Sequence, residues 1–191
     1  MQTAQNTGKR TKKMVVVAMF AAISAALMFI ELPMGFLFPA APFLQLDFSG
    51  VPVLLGSFLY GPVAGIVISF IKAAIHLSVS ATMGIGELVD FIIMASFAIV
   101  GGFIYKKNKT RKGALIGLIC GTVVIAVMGV VTNWFIALPL YSALFHFNVE
   151  NVKMFLIAGI VPFNLLKGVA ISAVTFLVYK RLSGWLHRFT G

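Results

Sequence analysis

Five apolar runs occupy most of this chain, and they limit it to folds that a lipid bilayer can surround. The runs cover roughly residues 14–30, 51–79, 88–104, 113–140 and 152–179. A helix needs about 20 apolar residues to cross the hydrocarbon core, and most of the runs approach or exceed that length. Hydrophobic residues make up 60% of the 191 positions and charged residues only 10%, whereas soluble domains have about a quarter charged. We therefore predict an all-α membrane protein.

Clusters of basic residues set the number of crossings. They lie at 9–13, 106–112 and 180–188, and loops rich in lysine and arginine stay on the cytoplasmic side. Each pair of clusters must then be separated by an even number of spans. Between the first two this holds only if Tyr60-Gly61-Pro62, a turn signal, divides the second run into spans at roughly 47–60 and 62–79. We predict six transmembrane helices with both termini cytoplasmic. The net charge of +10 is explained by the basic residues at the membrane boundaries, so we predict no nucleic-acid partner.

The predicted boundaries are a basic cytoplasmic N-terminal tail at 1–13, a six-helix transmembrane domain at 14–182 and a cytoplasmic C-terminal tail at 183–191. The first apolar run resembles a signal peptide, but it has no small-residue cleavage site before Glu31 and further spans follow it. We therefore interpret it as a retained helix. Cys120 is the single cysteine, which excludes an intramolecular disulfide.

The loop at 32–47, after the first helix, is apolar and contains three prolines. Those prolines exclude a long regular helix. Two interpretations remain open: the loop folds back as a lid over the mouth of a pocket, or it lies in the headgroup region, which aromatic residues favour. We expect an outward-facing pocket capped by this loop.

Lys167 lies near the middle of the last apolar run, three residues after Asn164. This spacing places the amide and the ammonium on one helical face. An ammonium at mid-bilayer costs about 3 kcal/mol or more, so the pair indicates a polar site enclosed by helices. Asn133 lies inside the outer half of the fifth predicted helix, where it either binds a ligand or holds helices together. The nearby aromatic residues are Trp134, Tyr141 and Phe163, and the mixture suits a flat, partly apolar ligand rich in hydrogen-bonding groups.

Three further polar residues have structural interpretations. Lys72 is expected to form a buried ion pair with Asp90 or Asp47. His76 is expected to be a hydrogen-bonded polar residue instead of a metal ligand, because no second histidine stands nearby in sequence. Glu87 is expected to stabilise the outer end of the fourth helix through the helix dipole.

Catalytic and phosphate-binding motifs do not occur in the sequence. We find no His-Glu-x-x-His helix, no Gly-x-x-x-x-Gly-Lys loop and no nucleophile elbow. The chain is therefore not predicted to be an enzyme or to bind a metal. Any energy for transport must come from an ion gradient or from a separate ATPase.

Alanines recur every fourth residue along the first helix, at Ala18, Ala22 and Ala26. Small residues at this spacing let a second helix approach closely in lipid. That helix belongs either to this bundle or to another membrane protein.

Several motifs resemble one family of transport proteins. They are Leu46-Asp47-Phe48-Ser49-Gly50-Val51-Pro52, Tyr60-Gly61-Pro62-Val63-Ala64-Gly65, the segment 133–141, and Ala158-Gly159-Ile160-Val161-Pro162-Phe163-Asn164-Leu165-Leu166-Lys167-Gly168. On these the chain resembles the riboflavin-specific substrate-binding (S) components of bacterial energy-coupling factor (ECF) transporters. The likeness extends from the first helix to the last.

The resemblance implies high-affinity capture and uptake of riboflavin across the bacterial cell membrane, with riboflavin as the transported ligand and no cofactor. It implies association with a transmembrane coupling (T) subunit and two ATPase subunits, with the first-helix alanines as the docking face. The expected substrate-binding residues are Asn133, Asn164, Lys167, Asp47, Phe43, Trp134, Phe163 and Tyr141. The alternatives are an S component for another vitamin, an autonomous ion-coupled transporter that uses Lys72, Glu87 and Asp90 as a relay, and an intramembrane enzyme.

Overall fold

The structure is a computed structural model that describes residues 2–146 and 149–190. Within these ranges the side chains of residues 2–7, Lys9 and 182–190 are not described. Lys9 and Arg188 of the basic clusters therefore lie outside the described side chains, and Gly191 of the predicted C-terminal tail lies outside the described residues.

The described chain is helical, apart from one short hairpin and its loops. The elements are α1 (Gln2–Met28), β1 (Leu32–Pro33), β2 (Gln45–Leu46), α2 (Gly50–Tyr60), α3 (Pro62–His76), a 3-10 turn (Leu77–Val79), α4 (Ile85–Lys107), α5 (Arg111–Thr132), a π-helical segment (Asn133–Ala137), α6 (Leu138–Phe145), α7 (Val152–Met154), a second π-helical segment (Phe155–Ile160) and α8 (Val161–Thr190). The predicted tails are continuous with α1 and α8 as far as they are described.

Five of these helical stretches are long and apolar enough to cross a membrane. They are Arg10–Met28, Pro62–Val79, Ile85–Lys107, Arg111–Phe145 and Val152–Arg181. The division of the second apolar run is confirmed, because Gly61 adopts a φ of 88° and Pro62 begins α3. Pro62 suits that position because its missing N–H would be unpaired there in any case.

The remaining predicted span, α2, has only 11 residues, or about 16 Å of helix. That is shorter than the hydrocarbon core of about 30 Å. Every residue from Gly50 to Phe58 is buried, so neighbouring helices cover α2 on all sides.

The helices pack around one main core in which α2, α4, α5 and α8 meet. Its fully buried members include Leu54, Phe97, Leu118, Ile125 and Ile171. The opposite faces of α4, α5 and α8 expose large apolar side chains, as a surface that contacts lipid tails requires.

The two longest spans each contain a π-helical segment shortly before a proline. Asn133–Ala137 precedes Pro139, and Phe155–Ile160 precedes Pro162. Proline cannot donate the usual backbone hydrogen bond to the carbonyl four residues earlier, and a local π turn is one of the adjustments by which membrane helices pair the backbone groups that proline frees. The sequence analysis did not predict these segments.

The loop after α1 folds back over the protein. β1 and β2 pair antiparallel, with Leu32 opposite Leu46, and the Met34 amide donates to the Leu44 carbonyl at 2.9 Å. Ala41 is fully buried against Phe155 and Ile160. The predicted fold-back is confirmed, and we call residues 32–47 the lid.

Candidate binding site

A cavity of about 490 Å³ lies under the lid, between α3, α4 and the two longest spans. Its volume falls in the range of about 300–1,000 Å³ that is typical of small-molecule sites. The lining residues are Met28, Glu31, Phe43, Leu44, Gln45, Asp47, His76, Val79, Ala81, Thr82, Gly86, Glu87, Val89, Asp90, Ile93, Asn133, Ala137, Tyr141, Phe145, Phe163, Asn164 and Lys167.

Of the residues predicted to bind the substrate, Trp134 is the one that the structure does not bring to the cavity. The other seven line it: Phe43, Asp47, Asn133, Tyr141, Phe163, Asn164 and Lys167. The Trp134 side chain is 48% exposed on the outer surface. Successive helical residues point about 100° apart, and here that step takes the side chain from the cavity wall at Asn133 to the exposed face of the helix at Trp134. We leave Trp134 out of the site.

Lys167 is the centre of a buried charge network. Its Nζ donates to Asp47 Oδ2 at 2.8 Å and to Asp90 Oδ1 at 3.0 Å. Lys72, which is fully buried, has its Nζ 2.6 Å from Asp90 Oδ2 and donates to Ser49 Oγ at 2.5 Å. Two ammonium groups thus compensate two carboxylates, which is the condition for keeping charges inside a membrane protein.

This network confirms one prediction and adds a contact that the sequence analysis missed. Lys72 pairs with Asp90, as expected. Asp47 pairs instead with Lys167, 120 positions away. Burial alone would raise the pKa of Asp47, but the ammonium groups of Lys167 and Lys72 hold it below its usual value. The lid therefore ends in an ion pair with α8.

One N–H of the Lys167 ammonium has no acceptor among the described residues. An ammonium has three N–H groups, and the described residues account for two of them through Asp47 and Asp90. Lys167 is only 6% exposed, and that exposure is toward the cavity it lines. The geometry thus offers a hydrogen bond to a neutral acceptor and no free positive charge.

The two predicted amides are held by their own helices. Asn133 Nδ2 donates to the Gly129 carbonyl at 2.8 Å, and Asn164 Nδ2 donates to the Ile160 carbonyl at 2.9 Å. Among the described residues, neither amide oxygen accepts a hydrogen bond. Both side chains are nearly buried and line the cavity. Two acceptors therefore face the place where a ligand would lie.

Gly129 permits this arrangement. A Cβ atom at that position would collide with the Asn164 amide nitrogen and lie 2.9 Å from its carbon. The absence of a side chain lets α5 and α8 approach so that both amides reach one cavity.

A second polar cluster lines another part of the cavity wall. His76 Nδ1 lies 2.9 Å from Glu87 Oε1, and His76 Nε2 lies 3.6 Å from Glu31 Oε1. Glu87 also accepts from Ser80 Oγ at 2.8 Å, and burial raises the pKa of Glu31. The predicted hydrogen-bonded role of His76 is confirmed, and Glu87 lies in the first turn of α4 as expected.

Sequence reasoning missed that this cluster and Asp90 line the cavity. The available signal was that the chain's acidic residues all fall at the ends of apolar runs.

The alanine pattern of α1 divides between two faces. Ala21 and Ala25 are buried, at 1% and 4% exposure, and Ala21 packs against α2, α3 and α4. Ala18, Ala22 and Ala26 are exposed. The bundle therefore uses one alanine row for its own packing and leaves the predicted docking row free along its surface.

These features define a multi-span membrane protein with a small-molecule cavity that is mainly apolar and has a few convergent polar groups. Comparison with known proteins gives the family. The model of the family "ECF transporter, substrate-specific component" matches residues 12–179, and this chain belongs to that family.

Its relatives agree in sequence and in fold. The chain is 37% identical to the riboflavin transporter RibU of Staphylococcus aureus (strain TCH60), over 94% of this chain and 95% of that protein. It is 32% identical to the riboflavin transporter FmnP of Bacillus subtilis (strain 168), over 94% and 96%. A solved structure of the S component of a bacterial ECF transporter superposes with a TM-score of 0.79 at 37% identity, covering 93% of this chain and 98% of that one.

Proposed function

We propose that this chain is the riboflavin-binding and membrane-translocating subunit of an ECF-type vitamin uptake transporter. The cavity at the Lys167 network supports the proposal most directly, since it offers aromatic walls, two acceptor oxygens and one donor from a compensated cation. Two relatives that cover nearly the whole chain are riboflavin transporters. We infer that the protein binds and carries its ligand without chemical turnover.

Riboflavin matches this set of groups. It has an apolar dimethylbenzene edge, a heterocyclic edge with one N–H donor and several acceptors, and a hydroxylated chain. Phe43, Tyr141 and Phe163 supply flat apolar surface. The Asn133 and Asn164 oxygens can accept from the ring N–H or from hydroxyls, and Lys167 can donate to a carbonyl or hydroxyl oxygen.

The lid and the charge distribution support an orientation. Loops rich in lysine and arginine stay on the cytoplasmic side, so we assign the basic segments at 10–13 and 106–112 to the inside. With α2 counted as the sixth crossing, both ends of the chain then lie in the cytoplasm. The cavity and the lid then open outward across the bacterial cell membrane. We propose that the exposed row of Ala18, Ala22 and Ala26 docks the T subunit, and that two ATPase subunits supply the energy.

The test is binding to the purified chain. Riboflavin fluorescence is titrated with protein in detergent or nanodiscs, and the absorption spectrum of the purified protein is recorded for co-purified flavin. We expect quenching that saturates at submicromolar protein. If another vitamin binds the purified chain and riboflavin does not, the protein is an S component of different specificity. Absence of binding at micromolar concentration would refute the proposal.

A further inference from the structure

The connection between α4 and α5 carries a dense group of positive charges. We call residues 106–112 the basic segment. Its cationic side chains are all exposed, and they are Lys106, Lys107, Lys109, Arg111 and Lys112. Like charges this close in sequence repel one another, so the segment attracts anions unless carboxylates of the protein compensate it.

The acidic side chains of the protein are not placed to compensate the basic segment. The sequence contains five, and four of them line the cavity: Glu31, Asp47, Glu87 and Asp90. The fifth, Glu150, follows Val149, which packs in one cluster with Ala41 of the lid. From its first turn at the cavity, α4 extends over 23 residues, or about 34 Å. The basic segment at its far end therefore lies well beyond the screening length of about 8–10 Å from these carboxylates.

Contacts between helices bring two further basic helix ends to the same end of the bundle. The Tyr105 and Tyr179 hydroxyls lie 3.1 Å apart, so the basic end of α8 adjoins the end of α4. Phe58 of α2 packs against both tyrosine rings. Two residues further on, the Tyr60 ring has the Lys13 ammonium of α1 at 5.8 Å from its centre. The basic segment is thus the densest part of a larger positive surface.

Exposed apolar side chains show the level at which this surface meets the bilayer. Phe103 is exposed, and the Lys107 ammonium lies 4.7 Å from the centre of its ring. Ile99 on α4 and Leu115 and Ile119 on α5 are exposed as well. These faces suit lipid tails, and Lys107 covers apolar surface with its stem as lysines at a membrane boundary do. The cations at the helix ends therefore stand at the level of the lipid headgroups.

We propose that the basic segment is a binding surface for the headgroups of anionic phospholipids in the inner leaflet. Lysine and arginine donate charge-assisted hydrogen bonds to phosphate oxygens. Clusters of about four to eight such residues at the cytoplasmic end of a membrane helix are typical of anionic-lipid recognition. Each of them near an anionic membrane surface strengthens the association about fivefold. An acidic face of a partner protein is the other possible ligand, and the position beside lipid-facing side chains favours the phospholipid.

The experiment measures lipid association with the full chain in phosphatidylcholine vesicles by electron spin resonance. Trace amounts of spin-labelled phosphatidylglycerol, which is anionic, are compared with spin-labelled phosphatidylcholine. The fraction of each lipid that the protein immobilises gives their relative association. The comparison is made at low salt and at about 1 M NaCl, where the screening length falls to about 3 Å.

Two variants change the basic segment at the same three positions. Lys106→Gln/Lys109→Gln/Lys112→Gln removes three charges and leaves two cations, which keep the connection on the cytoplasmic side. Lys106→Arg/Lys109→Arg/Lys112→Arg keeps every charge. Lys153→Gln is the matched control, because Lys153 is exposed and lies in α7, next to the lid-contacting residue Phe155.

We expect wild type, the arginine variant and Lys153→Gln to prefer phosphatidylglycerol about twofold or more at low salt, and the glutamine variant to lose most of that preference. High salt should remove it in wild type. Equal association of the two lipids with wild type would overturn the proposal and leave an acidic partner protein as the ligand of these cations. A preference that survives in the glutamine variant or at high salt would overturn it as well.

The salt series on wild type tests the proposal even if a variant fails to fold. No outcome involves riboflavin, so this proposal and the proposed function succeed or fail separately.

Discussion

Lys167→Met tests whether the buried ammonium serves the ligand or only the fold. In wild type, Lys167 and Lys72 compensate Asp47 and Asp90. The substitution leaves two buried carboxylates with one ammonium. Removing one partner from a buried ion pair costs about 3–5 kcal/mol, so the variant should unfold at a clearly lower temperature in detergent. Its riboflavin affinity should fall as well, for two reasons that the single variant does not separate.

The double variant Lys167→Met/Asp47→Asn separates them. It again contains one ammonium, Lys72, and one carboxylate, Asp90, whose atoms lie 2.6 Å apart. Most of the lost stability should return, because no unpaired charge remains. Riboflavin affinity should stay low, since the donor itself is missing. A hydrogen bond from a charged group contributes about 1.5–3 kcal/mol, or roughly 10- to 100-fold in the dissociation constant.

Thermal unfolding followed by tryptophan fluorescence measures the first quantity, and riboflavin fluorescence quenching measures the second. Lys72→Met serves as the comparison, because Lys72 belongs to the same network but does not line the cavity. It should lower stability as much as Lys167→Met and affect affinity less. If the double variant binds riboflavin as tightly as wild type, Lys167 only fastens the lid to α8, and the assignment of its third donor to the ligand is wrong.

Three other changes test separate parts of the structure. Gly129→Ala places a methyl group against the Asn164 amide, and riboflavin titration should show about tenfold weaker binding; unchanged affinity would mean that this amide does not contact the ligand. Ala22→Leu should leave riboflavin binding intact and abolish uptake by cells, whereas Ala74→Leu, at an exposed position on α3, should change neither; loss of binding in Ala22→Leu would place that row inside the bundle. Because the pKa of Asp47 is lowered in the folded state, its ion pair contributes full stability above about pH 4 and loses it only as the pH falls further. Wild type should therefore keep its unfolding temperature advantage over Asp47→Asn from about pH 8 to about pH 5, and an advantage that disappears within that interval would contradict the lowered pKa.

Much of the site could be predicted from the sequence because burial in a membrane makes polar residues conspicuous. Asn133, Asn164 and Lys167 stand in long apolar runs, and each lines the cavity. Asn164 and Lys167 lie three residues apart on α8, and this spacing places them on one face of the helix. Trp134 shows the limit of proximity in sequence, since one step along the helix turned it to the outer surface.

Other features depend on contacts between distant segments. The Asp47–Lys167 pair joins residues 120 positions apart, and no local pattern states which of several buried acids meets which base. The π-helical segments were not predicted either, although the prolines that follow them, Pro139 and Pro162, stand in the sequence.

The sequence by itself determined the class of fold, the helical spans and the polar residues that needed partners, because hydrocarbon tolerates only helices with satisfied backbones and few charges. The tertiary structure alone decided that α2, with its 11 residues, is covered by its neighbours on all sides. It also decided how the lid closes over the cavity and how four charged side chains cancel one another. These outcomes depend on distances between segments, and the physical reason is that burial and charge compensation are properties of the assembled bundle and of no single helix.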